Sequence, residues 1–176
     1  MVRVITVKYP LKEAKAPEEY RGIPYIDPQR CIGCGACRNA CPPNAITREI
    51  DLEKGIKRIV LDVGRCIRCG RCEEVCPSGA IKLTNVFEAA SRQRENHVEI
   101  VELKLLRCSR CGKYTEFTER QVMLAFEILP REVLEVEALD KRIWLCRDCR
   151  REIALSDAVD KEWKWYYGKL VKSIWE

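Results

Sequence analysis

Apolar and polar positions alternate in short blocks along this chain, and few blocks are long enough for a large element. Val2, Val4, Ile5, Val7 and Tyr9 predict a short strand that ends at Pro10. Pro17, Arg21-Gly22, Pro24 and Pro28 then break up a charged stretch, so residues 1–28 read as an extended docking arm. Its apolar start would pack on a neighbouring protein or on the domain that follows. Ile46–Ile50 and Ile56–Val63 predict a hairpin closed near Glu53-Lys54-Gly55. Glu88–Asn96 is polar and helix-like. Val98, Ile100, Val101, Leu103, Leu105 and Leu106 follow as an apolar run that begins as a strand. Thr118-x-x-Gln121 is a capping-box signature ahead of Val122, Leu124, Ala125, Ile128 and Leu129, so a helix starts there. Pro130 opens or kinks a second helix through about Leu139, and Ile143-Trp144-Leu145 reads as a strand. A last amphipathic helix is expected from Ser156 or Asp157. Val159, Trp163, Tyr166, Tyr167, Leu170 and Ile174 lie on one face; Lys161, Lys164, Lys169 and Lys172 lie on others.

Cysteine changes the picture more than hydropathy does. Cys31, Cys34, Cys37 and Cys41-Pro42 form a C-x2-C-x2-C-x3-C-P run, and Cys66, Cys69, Cys72 and Cys76-Pro77 repeat it 35 residues later. The repeat extends past the cysteines, since Asn44-Ala45-Ile46 matches Gly79-Ala80-Ile81, and each half reads as loop, short helix and strand. This run is the signature of a [4Fe–4S] site in a two-cluster ferredoxin, where the fourth cysteine of each run ligates the other cluster. Cluster I is therefore assigned to Cys31, Cys34, Cys37 and Cys76, and cluster II to Cys66, Cys69, Cys72 and Cys41. Gly33, Gly35 and Gly70 stand between ligands, where the backbone must approach the inorganic core. Ile32 and Ile67 are expected as apolar lids. His97, the sole histidine, has no cysteine partner in spacing and is assigned no role.

The other four cysteines, Cys108-x2-Cys111 and Cys146-x2-Cys149, are two knuckles of a tetrahedral metal site. The 34 residues between them exceed the roughly 15–20 of a common ribbon, but they carry their own helices. Zinc is expected there, in a closed site with no open coordination position. Mononuclear iron is the rival, because Cys108-x2-Cys111-Gly112 resembles a rubredoxin knuckle, although Cys146-x2-Cys149-Arg150 lacks the matching glycine. The fold expected is α+β. A bacterial-type two-cluster domain (29–87) and a linker with strand (88–104) precede a small zinc-ribbon-like domain with helices (105–176).

Composition trims the alternatives. The 176 residues hold 12 cysteines, yet the start lacks a signal-peptide core and every cysteine sits in metal-ligand spacing. A reducing compartment follows. No stretch nears the roughly 20 apolar residues of a membrane span. The formal charge of +5 counts thiols as neutral. Two oxidised cubanes at roughly −2 each and a four-thiolate zinc at about −2 bring the chain close to neutral. Nucleic acid is therefore not expected as a partner, although Trp163, Trp165, Tyr166 and Tyr167 with nearby lysines imitate a stacking patch.

The chain resembles the ferredoxin-like electron-transfer subunit shared by membrane-bound group 4 [NiFe]-hydrogenases, such as formate hydrogenlyase, and respiratory complex I. Tyr9-Pro10 followed by Arg21-Gly22, the loops Cys31–Cys37 and Cys66–Pro77, and the four C-terminal cysteines carry the resemblance. The last of these is similar to the formate-hydrogenlyase branch. The resemblance implies a relay between an electron-input subunit and the hydrogenase small subunit, with the large subunit beyond it. It also implies a peripheral place on the cytoplasmic side of the membrane, reached through partner subunits. No catalytic residue is expected, and the isolated chain is expected to turn nothing over. A free ferredoxin is the alternative within the same chemistry, and a nucleic-acid-binding ribbon with structural clusters is the remote one.

Overall fold

The computed structural model describes residues 9, 11, 15–88, 90–135 and 139–159. The expected strand before Tyr9 and most of the last helical face, from Trp163 onward, lie outside the described residues. The chain divides into two compact units. The first comprises Met1–Cys31, Gly35–Glu49 and Arg58–Glu102; the second comprises Ile32–Cys34, Ile50–Lys57 and Leu103–Glu176. The hairpin tip thus groups with the C-terminal residues.

In the first unit, β1 (Pro24–Ile26) pairs antiparallel with β4 (Ile81–Leu83), with Pro24 opposite Leu83 and Ile26 opposite Ile81. Part of the expected arm is therefore a strand on the unit's own sheet. Gly22 permits this. Its N–H donates to Thr84 O at 2.8 Å, and Ile23 N–H donates to Val86 O at 2.9 Å. A Cβ on Gly22 would collide with the carbonyl oxygens of Val86 and Thr84. β2 (Ile46–Asp51) and β3 (Ile56–Asp62) form the expected hairpin. β3 buries alternate residues, the period-2 pattern of a strand with one covered face. Ile59 and Leu61 join Ala45, Ile46, Ala80 and Ile81 in the core of this unit.

Two short helices follow the cysteine loops: α1 (Ala36–Ala40) and α2 (Arg71–Glu74). Each is opened by a left-handed glycine, Gly35 at φ 81° and Gly70 at φ 83°. The same handedness recurs at two further positions of the repeat. Gly33 at φ 72° matches Arg68 at φ 55°, and Asn44 at φ 51° matches Gly79 at φ 59°. The backbone repeats even where the residue does not.

The expected helix Glu88–Asn96 does not form among the described residues; only Arg94–His97 makes a turn of 3-10 helix. Local polar bonds compete with the helix here. Gln93 N–H donates to Ser91 Oγ at 3.2 Å, Asn96 Nδ2 donates to the same oxygen at 2.9 Å, and Arg94 pairs with Asp62 at 3.0 Å. Arg94 holds the Asp62 carboxyl below the usual carboxylate range.

In the second unit, the end of β5 (Val98–Arg107) pairs antiparallel with β6 (Tyr114–Thr118), with Leu105 opposite Thr118 and Arg107 opposite Tyr114. There α3 (Glu119–Ile128) begins at Thr118 with both bonds of the capping box formed. Thr118 Oγ1 also donates to Ile32 O at 2.6 Å. Lys57 is 1% exposed, and its Nζ donates to Glu116 O at 3.0 Å and to Gln121 Oε1 at 3.1 Å. Burial of an ammonium is costly unless its protons find acceptors. After Pro130 come α4 (Arg131–Glu135) and α5 (Leu139–Arg142). Ile143-Trp144-Leu145 is a turn and not the expected strand. Trp144 stacks on Phe126 at 5.9 Å, and its carbonyl accepts from Ser109 N–H at 3.1 Å. The last helix, α6 (residues 147–159 as described), starts nine residues before the expected Ser156.

Candidate metal centres

Within the first unit, Cys41 of the first run and Cys66, Cys69 and Cys72 of the second line one cavity. Its other walls are mainly apolar, among them Pro24, Ala45, Ile46, Leu61 and Leu83. Backbone amides already point at sulfur. Ala45 N–H donates to Cys41 Sγ at 3.3 Å, and Arg68 N–H donates to Cys66 Sγ at 3.3 Å. The second run has the counterpart of the first of these bonds, Ala80 N–H to Cys76 Sγ at 3.2 Å. Burial and the neighbouring Cys66 push the Cys72 thiol up to about 11. Burial acts the same way on Cys76, but the N–H of Ile81, the Ser78 hydroxyl and other backbone donors outweigh it and hold that thiol below its ordinary value. Four thiols around an apolar chamber, with N–H groups aimed at them, suit an iron–sulfur cluster.

Of the other cysteines expected to hold clusters, Cys31 is buried, Cys37 sits in the first turn of α1, and Cys76 follows α2. Cys34 lies in the short Ile32–Cys34 segment. Ile67 lines the cavity with Cys66 but is 63% exposed, so it is only a partial lid.

In the second unit, the Sγ atoms of Cys108, Cys111, Cys146 and Cys149 all lie within 4.8 Å of one another. The first knuckle is closed by Cys108 N–H to Lys113 O at 2.8 Å and Gly112 N–H to Cys108 O at 3.0 Å. Cys146 caps α6, since its Sγ accepts from Cys149 N–H at 3.4 Å. Cys146 N–H in turn donates to Cys108 Sγ at 3.2 Å. Burial pushes the Cys108 thiol up, but the backbone N–H groups of Cys111, Cys146 and Arg110 overcome it and bring it down to about 6. Cys149 is pushed up to about 12, chiefly by its hydrogen bond with Cys146 and by burial. One thiolate is thus favoured and another resisted, the order expected when like charges converge on a point that a cation would fill.

Sequence reading gave no site role to Arg68, to Tyr20 or to Arg21, which it used for the resemblance. Arg68 Nη1 donates to Tyr20 OH at 2.6 Å, and Arg21 Nη1 donates to Cys69 O at 3.3 Å. The one available signal was a non-glycine at the repeat position of Gly33.

Paired cysteine runs and a thiol-lined chamber fit an iron–sulfur electron-transfer subunit. Among the described residues no helix is long and apolar enough to cross a membrane. The 4Fe-4S dicluster domain family matches residues 30–80 and 65–114. Formate hydrogenlyase subunit 6 of Escherichia coli (strain K12) is 38% identical over 158 residues, covering 88% of this chain and 87% of its own. The chain belongs to that family of 4Fe–4S electron-transfer subunits. NADH-quinone oxidoreductase subunit I of Helicobacter pylori (strain G27) is 38% identical over 103 residues, or 53% of this chain and 47% of its own. A solved chain of the membrane-bound sulfane sulfur reductase, an archaeal respiratory membrane complex, is a loose match. It has 23% identity and a TM-score of 0.43 over 73% of this chain and 64% of its own.

Proposed function

We propose that this chain is the electron relay of a membrane-bound, complex I-related [NiFe]-hydrogenase of the formate hydrogenlyase type. It would carry electrons between an input subunit and the hydrogenase small subunit, and sit peripherally on the cytoplasmic side. The observation that carries this reading is the near full-length likeness to formate hydrogenlyase subunit 6. Each cluster, when bound, takes up and returns one electron with no bond made or broken. The polypeptide's part is to hold, shield and tune.

Cys31, Cys34, Cys37 and Cys76 would hold cluster I, and Cys66, Cys69, Cys72 and Cys41 cluster II. The chamber that Cys41 shares with the second run supports the crossing. The N–H groups of Ala45, Arg68 and Ala80 donate to the sulfurs of Cys41, Cys66 and Cys76, as cluster-ligating sulfurs require. Zinc would occupy Cys108, Cys111, Cys146 and Cys149, where the four sulfurs converge closely enough for a single ion.

The complex is tested by purifying the chain from solubilised membranes of its own host. Hydrogenase subunits that travel with it in fixed ratio are expected; a soluble monomer without companions would establish the free carrier instead. The crossing is tested with Cys41→Ser. Low-temperature EPR of the reduced protein should show the cluster II signal altered and cluster I intact, and the reverse would refute the assignment.

A further inference from the structure

The two cysteine loops share a backbone but differ at one slot. At the position after the first ligand's neighbour, Gly33 in one loop and Arg68 in the other both adopt left-handed φ, 72° and 55°. Glycine does this freely, whereas a residue with a Cβ is strained there. Arg68 therefore needs something to hold it, and the structure supplies it. Its backbone N–H donates to Cys66 Sγ at 3.3 Å. Its guanidinium donates to Tyr20 OH at 2.6 Å and to Phe87 O at 3.5 Å, and lies 6.0 Å from the centre of the Tyr20 ring. Tyr20 packs edge-on against Phe87 at 6.4 Å. None of these partners is a carboxylate, so they fix the cation without neutralising it.

Arg68 is half-buried and lines the chamber with Cys41, Cys66, Cys69 and Cys72. The other arginines near the loops are exposed and do not set them apart. A Cβ on Gly35 would lie 3.2 Å from Arg48 Nη1, and one on Gly70 would lie 3.8 Å from Arg21 Nη1, so each loop has such a neighbour. Arg71 is balanced by Glu74 at 2.8 Å.

We propose that Arg68 is an electrostatic tuning residue that raises the reduction potential of the cluster held by the second cysteine run, and that Tyr20 is its positioning residue. This rests on the reading that Cys66, Cys69 and Cys72 ligate one cluster. A fixed positive charge in a partly desolvated wall stabilises the reduced, more negative cluster more than the oxidised one. Reduction adds one electron from a donor, which is oxidised by one. Arg68 gains and loses no proton, because a guanidinium stays charged. A cation held at this slot makes the cluster of the second run easier to reduce than it would be without it.

The test is an EPR-monitored redox titration of the full chain, reconstituted anaerobically and reduced with dithionite. Cys69→Ser identifies which signal belongs to the second run. Arg68→Gly suits the backbone of the slot and removes only the charge and its contacts. At fixed solution potential the reduced-to-oxidised ratio of that cluster should fall about tenfold, equivalent to about 59 mV for a one-electron couple. The other signal should stay in place. Arg68→Lys should keep most of the wild-type potential, and Tyr20→Phe should give a smaller fall in the same direction. If Arg68→Gly loses iron, Arg68→Gln is titrated in its place on the same scale. Full iron and sulfide with no shift, or equal shifts in the Lys and Gly variants, would overturn the role of the charge. A wild-type chain that takes up no iron would overturn the cluster reading beneath it.

Discussion

Cys41 with the Cys66–Cys72 run and the Cys108–Cys149 group each gather four thiols, but in opposite manners. The first set lines the wall of an apolar chamber, with sequence-distant residues between the sulfurs. The second set collapses until every Sγ lies within 4.8 Å of every other. A chamber suits a polynuclear guest, and a point of convergence suits one ion. Both sets use C-x2-C spacing, so spacing alone does not separate them. In the second set Cys146, the first cysteine of its knuckle, caps α6 by accepting from Cys149 N–H and donates its own N–H to Cys108 Sγ, which ties the two knuckles together.

The largest effect expected from breaking this comparison is at the convergent group. Cys146→Ser removes one of the four converging sulfurs proposed to hold zinc and the acceptor at the start of α6. Loss of bound zinc by elemental analysis and a large fall in the denaturant midpoint of the second unit, with a transition still measurable, are expected, since metal binding is a major part of the stability of small metal domains. Retained zinc and an unchanged melt would mean that the point of convergence is not a metal site.

The second sharpening is by pH, in the metal-free chain. The folded Cys108 thiol titrates near 6, against 9.0 ordinarily, so its contribution is complete above 9 and vanishes as pH falls through about 6. Cys149 is raised from 9.0 to about 12, so its contribution is complete below 9 and vanishes as pH climbs toward 12. Taken together, this pair gives the metal-free second unit its greatest stability near pH 9. Denaturant midpoints measured across pH 5–11 would reveal a maximum there, and bound metal should flatten it. A midpoint that falls steadily from pH 6 to 9 would contradict the assignment of the favoured thiolate to Cys108.

The smallest effect concerns how the first cysteine loop is supported. Thr118→Ala removes the cap of α3 and the 2.6 Å bond to Ile32 O. A loss of about 1–2 kcal/mol in denaturant unfolding is expected. A change within about 0.3 kcal/mol would mean that the hydroxyl is replaced by water at both ends.

The parts of this arrangement that depend on spacing were readable in advance. The convergence of Cys108, Cys111, Cys146 and Cys149, the hairpin around Gly55 and the Thr118–Gln121 cap follow from local patterns whose chemistry depends on nearby residues. The failures are places where a distant partner decides. Ile143-Trp144-Leu145 has strand-like composition, but Phe126 and the Ser109 amide claim it as a turn. The start of α6 was sought in apolar periodicity, which is weak over 147–155, whereas the cap is a sulfur atom of Cys146. β6 was missed because its five residues follow a knuckle, and its pairing to β5 carries an irregularity between Leu105 and Arg107. Pairing of β1 with β4 depends on Gly22 fitting against two carbonyls, which no single residue type announces.

Matching left-handed torsions at Gly33 and Arg68, and at Asn44 and Gly79, have an evolutionary corollary. If the halves descend from a duplicated ancestor, main-chain shape has outlasted residue identity at both slots. A side chain at Gly33 would meet the methyl group of Leu103 2.6 Å from where its Cβ would sit, so Leu103 would have to move to admit it. Its twin at Arg68 already carries a long side chain at the same torsion. Variation that retunes this protein therefore meets less resistance in the second copy than in the first.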